Sequence, residues 1–189
     1  MSLPNFPGAE QMIAAIDAAV ALQDQAATTT ALRNSLCKMM REHQLQMPSE
    51  VFECCGEHYA RRELYRSPDH DYAIVAMTWG PGQGTSIHDH SGVWCVEGVI
   101  KGSLEIAQYE LREANGDAFR FEHCGTMVAG PGSAGSLIPP HEYHTIKNAS
   151  NDEPAVSVHV YAKPLVCCAV FEPSPSGWHQ KTMKQLSLD

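Results

Sequence analysis

Two histidines, His88 and His90, lie two residues apart in the stretch TSIHDHSGVWCVEGVIKG, residues 85–102. The segment has the apolar character of a β-strand, and residues i and i+2 of a strand point to the same side. Both imidazoles can therefore face one metal ion. A lone thiol, Cys95, follows the second histidine by five residues. The spacing predicts part of a metal site whose remaining ligand lies elsewhere in the chain.

A second cluster, PPHEYHTIKN, lies about fifty residues downstream. Together the two clusters resemble the two sequence motifs of the cupin superfamily. In the first motif the matching residues are Gly82, His88, His90, Cys95 and Gly102. In the second they are Pro139, His144 and Asn148, with His141 in place of the usual glycine. The resemblance implies a small β-barrel that holds a metal ion in its interior.

The third ligand is better assigned to His144 than to His141, because its spacing from Pro139 and Asn148 matches the motif. We interpret His141 as a loop residue near the mouth of the site. His159, on a later predicted strand, is kept as a functional candidate. The other histidines have no such context and are interpreted as surface or cap residues: His43, His58, His70, His123 and His179.

Imidazole suits zinc, copper, nickel and iron alike, so the ligand type does not select the metal. Cys95 occupies the position at which cupins carry a glutamate. A thiolate ligand is the minor alternative, and a face of three histidines without an anionic protein ligand is favoured. Such a face leaves more positive charge and open positions on the metal, which favours direct binding of an anionic substrate.

Roughly residues 55–171 resemble the type I cysteine dioxygenases. The stretch HDHSGVWCVEGVIKG is similar to that family's HDH-x4-C-x6-G motif, and YARREL is similar to its Tyr-x-Arg segment. HTIKNASNDEPAVSVHVY is similar to the segment that joins the third histidine ligand to a tyrosine. All these elements occur in order and at the family's spacing.

The resemblance implies a reaction site for L-cysteine and O2. His88, His90 and His144 would bind one Fe(II) per chain, and the substrate would chelate it through its thiolate and amine. Metal coordination lowers the pKa of a thiol, so the thiolate would be favoured at neutral pH. Arg61 would hold the substrate carboxylate through its planar fork of donors, next to Tyr59.

Ser157, His159 and Tyr161 alternate along one predicted strand, so their side chains share a face. On the residues alone, an interior polar stripe is the simpler interpretation. The resemblance instead implies a hydrogen-bonded relay in which the Tyr161 hydroxyl reaches the reacting oxygen or the substrate. It also implies a thioether cross-link between Cys95 and Tyr161, although the sequence does not decide whether that bond forms.

Two features bear on how closely the chain follows the family. Ala162 and Lys163 precede Pro164 where the family often has Ser-Pro-Pro, so a proline-fixed turn beside the tyrosine is altered. Arg61 separates the chain from relatives with glutamine there, which resemble mercaptopropionate dioxygenases. An arginine favours a substrate that carries the carboxylate of an α-amino acid close to the metal.

The elements that position these residues change in character near residue 60. Before it, apolar residues at helical spacing predict a helix from about Ala9 to Gln23, a second helix after a Thr28–Thr30 cap, and a short turn at Ser49–Cys54. From about Glu63, short alternating or apolar runs separated by turn residues predict an antiparallel barrel or sandwich.

A chain of 189 residues is long enough for one well-buried domain and short for two. We therefore expect a mainly β fold of cupin or jelly-roll type with an N-terminal helical layer. The expected single domain covers residues 1–189, with residues 1–58 mainly helical and residues 59–175 forming the barrel around the metal site. A monomer is expected.

The composition is ordinary for a soluble globular protein, with 43% hydrophobic and 19% charged residues. A net charge of −9 without any basic run argues against binding to nucleic acid or to an anionic membrane. The N-terminus resembles neither a signal peptide nor a transmembrane segment. Seven cysteines, with two adjacent pairs and no CxxC, predict free thiols in a reducing cytoplasm.

The leading hypothesis is a non-haem iron thiol dioxygenase that oxidises L-cysteine with O2 to cysteine sulfinic acid. The alternative within the same chemistry is 3-mercaptopropionate, cysteamine or another small thiol as the substrate. An alternative of another class is a non-catalytic metal-binding cupin, such as a sensor, against which the predicted relay argues. A metal-dependent isomerase would normally need the glutamate that Cys95 replaces.

Overall fold

A computed structural model describes residues 5–189 of the protein. Two helices come first, α1 (Ala9–Val20) and α2 (Gln25–Arg41), and a short 3₁₀ turn at Ser49–Phe52 follows. The predicted N-terminal helical layer is confirmed. Residues 1–4, where the stretch judged not to be a signal peptide begins, lie outside the described range.

The boundary between the two helices differs from the prediction, because Asp24 and not a threonine caps the second helix. The Asp24 carboxylate accepts a hydrogen bond from the backbone N–H of Ala27 at 2.7 Å. Aspartate is among the best N-cap residues. Thr28 lies inside the helix, and its hydroxyl donates to the Ala19 carbonyl of α1 at 2.9 Å. The first helix therefore ends before the predicted Gln23.

Eleven strands form most of the remaining chain. They are β1 (Ala60–Arg66), β2 (Ala73–Trp79), β3 (Ile87–His88), β4 (Cys95–Lys101), β5 (Leu104–Asn115), β6 (Ala118–Ala129), β7 (Ala134–Leu137), β8 (His144–Asn148), β9 (Ala155–Tyr161), β10 (Cys167–Pro173) and β11 (His179–Gln185). The prediction of a mainly β architecture is confirmed.

The strands pair antiparallel in two groups. Five form a sheet in the order β1-β2-β9-β4-β7, and six close into a ring in the order β10-β11-β6-β5-β8-β3. The ring needs β11, which joins β10 to β6. The β region therefore extends beyond residue 175, the predicted end of the barrel.

Both faces of the five-stranded sheet are covered, which is why β2 and β9 are buried along their whole lengths. The outward residues of β9 pack in one core with the helices: Val156, Val158 and Val160. The alternate residues face the interior of the molecule: Ser157, His159 and Tyr161. The period of two along this strand thus places an apolar face on the helices and a polar face towards the site.

All seven cysteines lie within residues 5–189, and none of them forms a disulfide. Among the same residues, neither helix combines the length and the apolar character that crossing a membrane requires.

Candidate metal centre and substrate cavity

The three predicted ligands meet in the interior. His88, the last residue of β3, is the direct cross-strand partner of His144, the first residue of β8, and His90 follows in the next loop. One ligand nitrogen from each histidine lies within 4.8 Å of the other two. The ring centroids are 4.5 to 5.2 Å apart. The fold therefore brings the whole predicted ligand set to one point.

Outer hydrogen bonds orient two of these rings. The buried Glu142 carboxylate accepts from the backbone N–H of His90 at 2.7 Å and from its ring Nδ1 at 3.1 Å. Nδ1 of His88 lies 3.1 Å from the Ser86 carbonyl, which can only accept. Both rings therefore carry their proton on Nδ1, and Nε2 is left to bind a metal.

The surroundings of His144 indicate whether a metal fits the site. Its side chain is fully buried, and neither of its ring nitrogens has a hydrogen-bond partner within residues 5–189. An unpaired buried polar group costs about 1–3 kcal/mol, and a bond from one nitrogen to a metal removes that cost for it. Burial, reinforced by the other two histidines, lowers the pKa of His144 well below its ordinary value. Burial also lowers the pKa of His88 to about 3. Neutral imidazoles of this kind fit a divalent transition metal.

A cavity adjoins the triad and is lined by all three histidines. Its polar lining outside the three ligands comes from Tyr59, Arg61, Thr85, His159, Tyr161 and Cys168. Its apolar lining includes Met77, Trp79, Ile146, Leu165 and Leu186. The cavity therefore joins the predicted ligands, the predicted substrate-binding residues and part of the predicted relay.

Arg61 extends from β1 into this cavity and is only 5% exposed. Its Nη1 donates to the Ser187 carbonyl at 3.1 Å and its Nη2 to the Leu165 carbonyl at 3.2 Å. A guanidinium has five N–H donors, so three remain, and one of them, on Nε, is buried without a partner in the part of the chain that the structure describes. Such donors suit a carboxylate. Tyr59 lines the same cavity and stacks on Trp79, with ring centroids 4.5 Å apart.

The C-terminal tail holds Arg61 in place. The backbone N–H of Arg61 donates to the Asp189 carboxylate, and that of Asp189 donates to the Arg61 carbonyl, both at 2.8 Å. Asp189 also lies 3.0 Å from Nε2 of His58, whose Nδ1 is 3.4 Å from the Cys55 sulfur. Because Cys55 and Asp189 contact opposite nitrogens of one ring, the three residues fix the tail and do not form a common chelating face.

The predicted relay forms a continuous chain of side-chain contacts. The Trp79 indole N–H donates to the Ser157 hydroxyl at 2.9 Å, and that hydroxyl lies 2.8 Å from Nε2 of His159. On the other side of the imidazole ring, Nδ1 of His159 lies 3.4 Å from the Tyr161 hydroxyl. Burial lowers the pKa of His159 to about 3, so the ring is neutral.

Cys95 and Tyr161 are direct cross-strand partners on β4 and β9, and both are almost completely buried. The Cys95 sulfur lies 3.9 Å and the Tyr161 hydroxyl 3.4 Å from the same atom, Nδ1 of His159. Burial, followed by the nearby Glu97, raises the pKa of the thiol, and burial also raises that of the phenol. The Tyr161 ring centroid is 6.1 Å from that of His90. The pair predicted to be cross-linked is therefore adjacent and close to the metal ligands.

The structure also separates residues that belong to the site from those that do not. His141 is exposed, and its Nδ1 pairs with Glu110 at 3.0 Å, so it lies outside the triad. Asn148 is buried, but its amide supports the fold by donating to the carbonyls of Trp79, Gly80 and Glu153.

Four parts of the site were not predicted from the sequence: Trp79, Glu142, Glu97 and the C-terminal tail. Glu142 stands two residues before His144, and an acidic residue beside a histidine cluster is a signal that could have identified it. The tail carries no motif, and His58, interpreted as a surface residue, proves to be part of its attachment.

Residues 50–174 match the family described as Cysteine dioxygenase type I. The curated relatives include cysteine dioxygenase type 1 of Danio rerio, 26% identical over 123 residues, and that of Homo sapiens, 25% identical over 130 residues. Each alignment covers 65% of this chain, and the chain spans about 60% of the length of these relatives.

Solved structures with similarity to the chain include a protein of Thermus thermophilus, with a TM-score of 0.46 and 20% identity. That match covers 63% of this chain and 97% of the other. A Klebsiella pneumoniae protein with a double-stranded β-helix domain has a TM-score of 0.47 and 21% identity, covering 64% of this chain and 85% of the other.

Proposed function

Because the chain belongs to the cysteine dioxygenase type I family, we propose that it is a thiol dioxygenase that converts L-cysteine and O2 to cysteine sulfinic acid. The observation that carries the proposal is the shared cavity, in which three buried histidines lie together with Arg61 and Tyr161. Metal ligands, a carboxylate-binding group and a hydrogen-bonding phenol are the parts that this reaction requires.

His88, His90 and His144 would hold one Fe(II) per chain. When bound, the iron would supply the redox chemistry that allows O2 to react with a thiolate. The bonds of Glu142 and Ser86 to two of the rings keep Nε2 of each directed to the ion.

Arg61 and Tyr59 would bind and orient the substrate. The free N–H groups of the Arg61 guanidinium would donate hydrogen bonds to the substrate carboxylate, which fixes one end of the molecule and leaves its thiol to reach the metal. The side chains of Met77, Ile146 and Leu165 line the cavity and limit the entry of water.

The relay would control the proton of the Tyr161 hydroxyl. Trp79 and Ser157 fix the orientation of the neutral His159 ring, whose Nδ1 faces the phenol oxygen. Burial raises the pKa of the Tyr161 phenol, so the phenol stays protonated at neutral pH. It can donate a hydrogen bond to an oxygen atom that develops charge during the reaction.

The experiment measures oxygen uptake and sulfinate formation with anaerobically iron-loaded protein and a panel of thiols. We expect one sulfinate per O2 with L-cysteine, slower turnover with 3-mercaptopropionate, which lacks the amine, and the slowest with cysteamine, which lacks the carboxylate. Oxygen uptake without sulfinate from any thiol, or metal binding without uptake, would overturn the proposal and favour a non-catalytic metal-binding protein.

We also propose that Cys95 and Tyr161 become joined by a thioether bond: the sulfur bonds to a ring carbon of the phenol, the S–H bond and one ring C–H bond break, and O2 takes up the two electrons and two protons. Their adjacency as cross-strand partners on β4 and β9 supports this. Intact mass after turnover with Fe(II) and cysteine is expected to fall by two hydrogen atoms, and peptide mapping should place the link at these residues. A Cys95→Ser variant is the control and should keep its mass.

The composition of the chain supports a choice of partners and of cellular compartment. A net charge of −9 favours small-molecule substrates over nucleic acid or anionic membranes as partners. Seven unpaired thiols favour the reducing cytoplasm. We propose that residues 1–189 form one domain that acts as a monomer, which the elution volume and light scattering of the purified protein would test.

A further inference from the structure

Glu97 is a buried acid that neither the motifs nor the proposed reaction employs. It lies on β4 two residues after Cys95, and it is the direct cross-strand partner of His159 on β9. Its side chain is buried, and its Oε2 has no hydrogen-bond partner within residues 5–189. That oxygen lies 3.5 Å from Nδ1 of His159. A lone buried carboxyl is unfavourable, so its position requires an explanation.

Three groups surround the same nitrogen. Nδ1 of His159 has the Tyr161 hydroxyl at 3.4 Å, the Glu97 carboxyl at 3.5 Å and the Cys95 sulfur at 3.9 Å. An imidazole nitrogen offers one N–H or one lone pair, so it makes one full hydrogen bond at a time. Glu97 and Tyr161 therefore compete for it.

The rest of the relay determines which partner is preferred. An indole N–H can only donate, so Trp79 occupies an acceptor site of the Ser157 hydroxyl, whose own proton is left for Nε2 of His159. Nδ1 then carries the ring proton. An ionised carboxylate is a stronger acceptor than a neutral phenol oxygen, so an ionised Glu97 takes that proton.

We propose that Glu97 is a positioning residue of the relay: by accepting the Nδ1–H of His159, it releases the Tyr161 hydroxyl to donate into the metal cavity. This inference rests on the proposed dioxygenase function for its kinetic consequence. The hydrogen bond itself is a property of the chain and can be observed without metal or substrate.

The surroundings of Glu97 place its ionisation in the neutral range. The titratable groups that face it are His159 and Tyr161 on β9 and Cys95 on its own strand. The neighbouring parts of β5, β6, β7 and α2 present uncharged residues: Leu104, Ile106, Met127, Ala129, Gly135 and Met40. Burial raises the pKa of Glu97 to about 7.

A second cavity makes the inference testable by chemical rescue. It is lined mainly by apolar residues, with Glu97, Ser157 and His159 also in its wall. This cavity is distinct from the one that holds the three histidines. Truncation of Glu97 would open space continuous with it, into which a small carboxylate such as formate or acetate could diffuse.

The experiment compares Glu97→Gln, Glu97→Ala and, as a matched control in the same cavity, Val99→Ala. At about pH 8 we expect Glu97→Gln to lower kcat roughly tenfold, with KM for cysteine changed less than about twofold. Its kcat should lose the rise that the wild type shows between about pH 6 and 8. Formate or acetate should restore activity to Glu97→Ala but not to Val99→Ala.

A second readout needs no activity. In metal-free protein labelled with ¹⁵N-histidine, Nδ1 of His159 should carry the proton, and Glu97→Gln should shift its resonance while Val99→Ala leaves it unchanged. An unshifted resonance together with an unchanged pH profile would overturn the inference. If the wild type proves inactive but the resonance shifts, the proposed function fails while the hydrogen bond of Glu97 stands.

Discussion

His144 and Arg61 show that burial has opposite consequences for different side chains in one cavity. Among residues 5–189 the imidazole of His144 has no hydrogen-bond partner, and burial keeps it neutral, which prepares it to bind a metal. The guanidinium of Arg61, a group that is always charged, donates two of its N–H groups to carbonyl oxygens of the tail and of Leu165. One residue type thus supplies a lone pair to the site and the other supplies positive charge.

Replacing His144 by alanine should reduce iron affinity by about 100-fold or more, because even the loss of an outer partner of a ligand costs about 10–100-fold. Iron retained after dialysis against a weak chelator measures the effect. His141→Ala is the matched control, since that histidine is exposed and pairs with Glu110. Equal iron retention in the two variants would contradict the assignment of the third ligand.

Arg61→Gln should raise KM for L-cysteine about 10- to 100-fold, because a hydrogen bond to a charged group contributes about 1.5–3 kcal/mol. Its effect on cysteamine, which has no carboxylate, should be small. Arg62→Gln is the control: that guanidinium donates to the Thr78 hydroxyl at 3.1 Å and the Glu53 carbonyl at 2.9 Å. Equal losses for both thiols would assign Arg61 a purely structural role.

Glu97 should also make stability depend on pH. Burial raises its pKa from 4.5 to about 7, so the folded state binds the proton more tightly than the unfolded state. The wild type should therefore lose stability relative to Glu97→Gln as pH rises from about 4.5 to 8, by about 3 kcal/mol in all. Urea unfolding of both metal-free proteins across this pH range measures the difference in their free energies of unfolding. A difference that does not change with pH would contradict the raised pKa of the buried Glu97 carboxyl.

At the scale of elements, alternation along β4 and β9 determines which side chains reach the site. The same period that directs valines to the helices directs Ser157, His159 and Tyr161 inward, so their shared face could be predicted from the sequence, whereas their role as a relay came only from the resemblance to the family. The contact of Trp79 with Ser157 could not be predicted, because it depends on the pairing of strands that are distant in the sequence. The predicted start of α2 was wrong for a local reason, because Asp24 caps the helix in place of a threonine.

Gly102 marks the turn after β4 and offers a test at this scale. Its φ is +72°, and a Cβ added there would lie 2.9 Å from both the backbone and the side chain of Ala155. Gly102→Ala should therefore destabilise the protein by about 1–3 kcal/mol. Gly125→Ala, where an added Cβ would meet no atom within 4 Å, should change stability by less than about 0.5 kcal/mol. Equal free energies of unfolding for the two variants, measured with urea, would contradict the close approach of Gly102 to Ala155.

For the whole molecule, the helices and the six-stranded ring cover opposite faces of one five-stranded sheet, and the site lies on the inner side. The fold class could be predicted from turn spacing and hydrophobic pattern. The strand order could not, because it depends on contacts between residues far apart in sequence. The closing role of β11 and the attachment of the tail to Arg61 are consequences of that order.

The central claim is that this cavity directs both atoms of O2 to the sulfur of cysteine. The most direct measurement is mass spectrometry of the product formed from L-cysteine under ¹⁸O2 by the iron-loaded protein. The account predicts cysteine sulfinate that carries two ¹⁸O atoms, and its absence with His144→Ala protein. Cystine as the only product, or sulfinate with a single ¹⁸O atom, would contradict it.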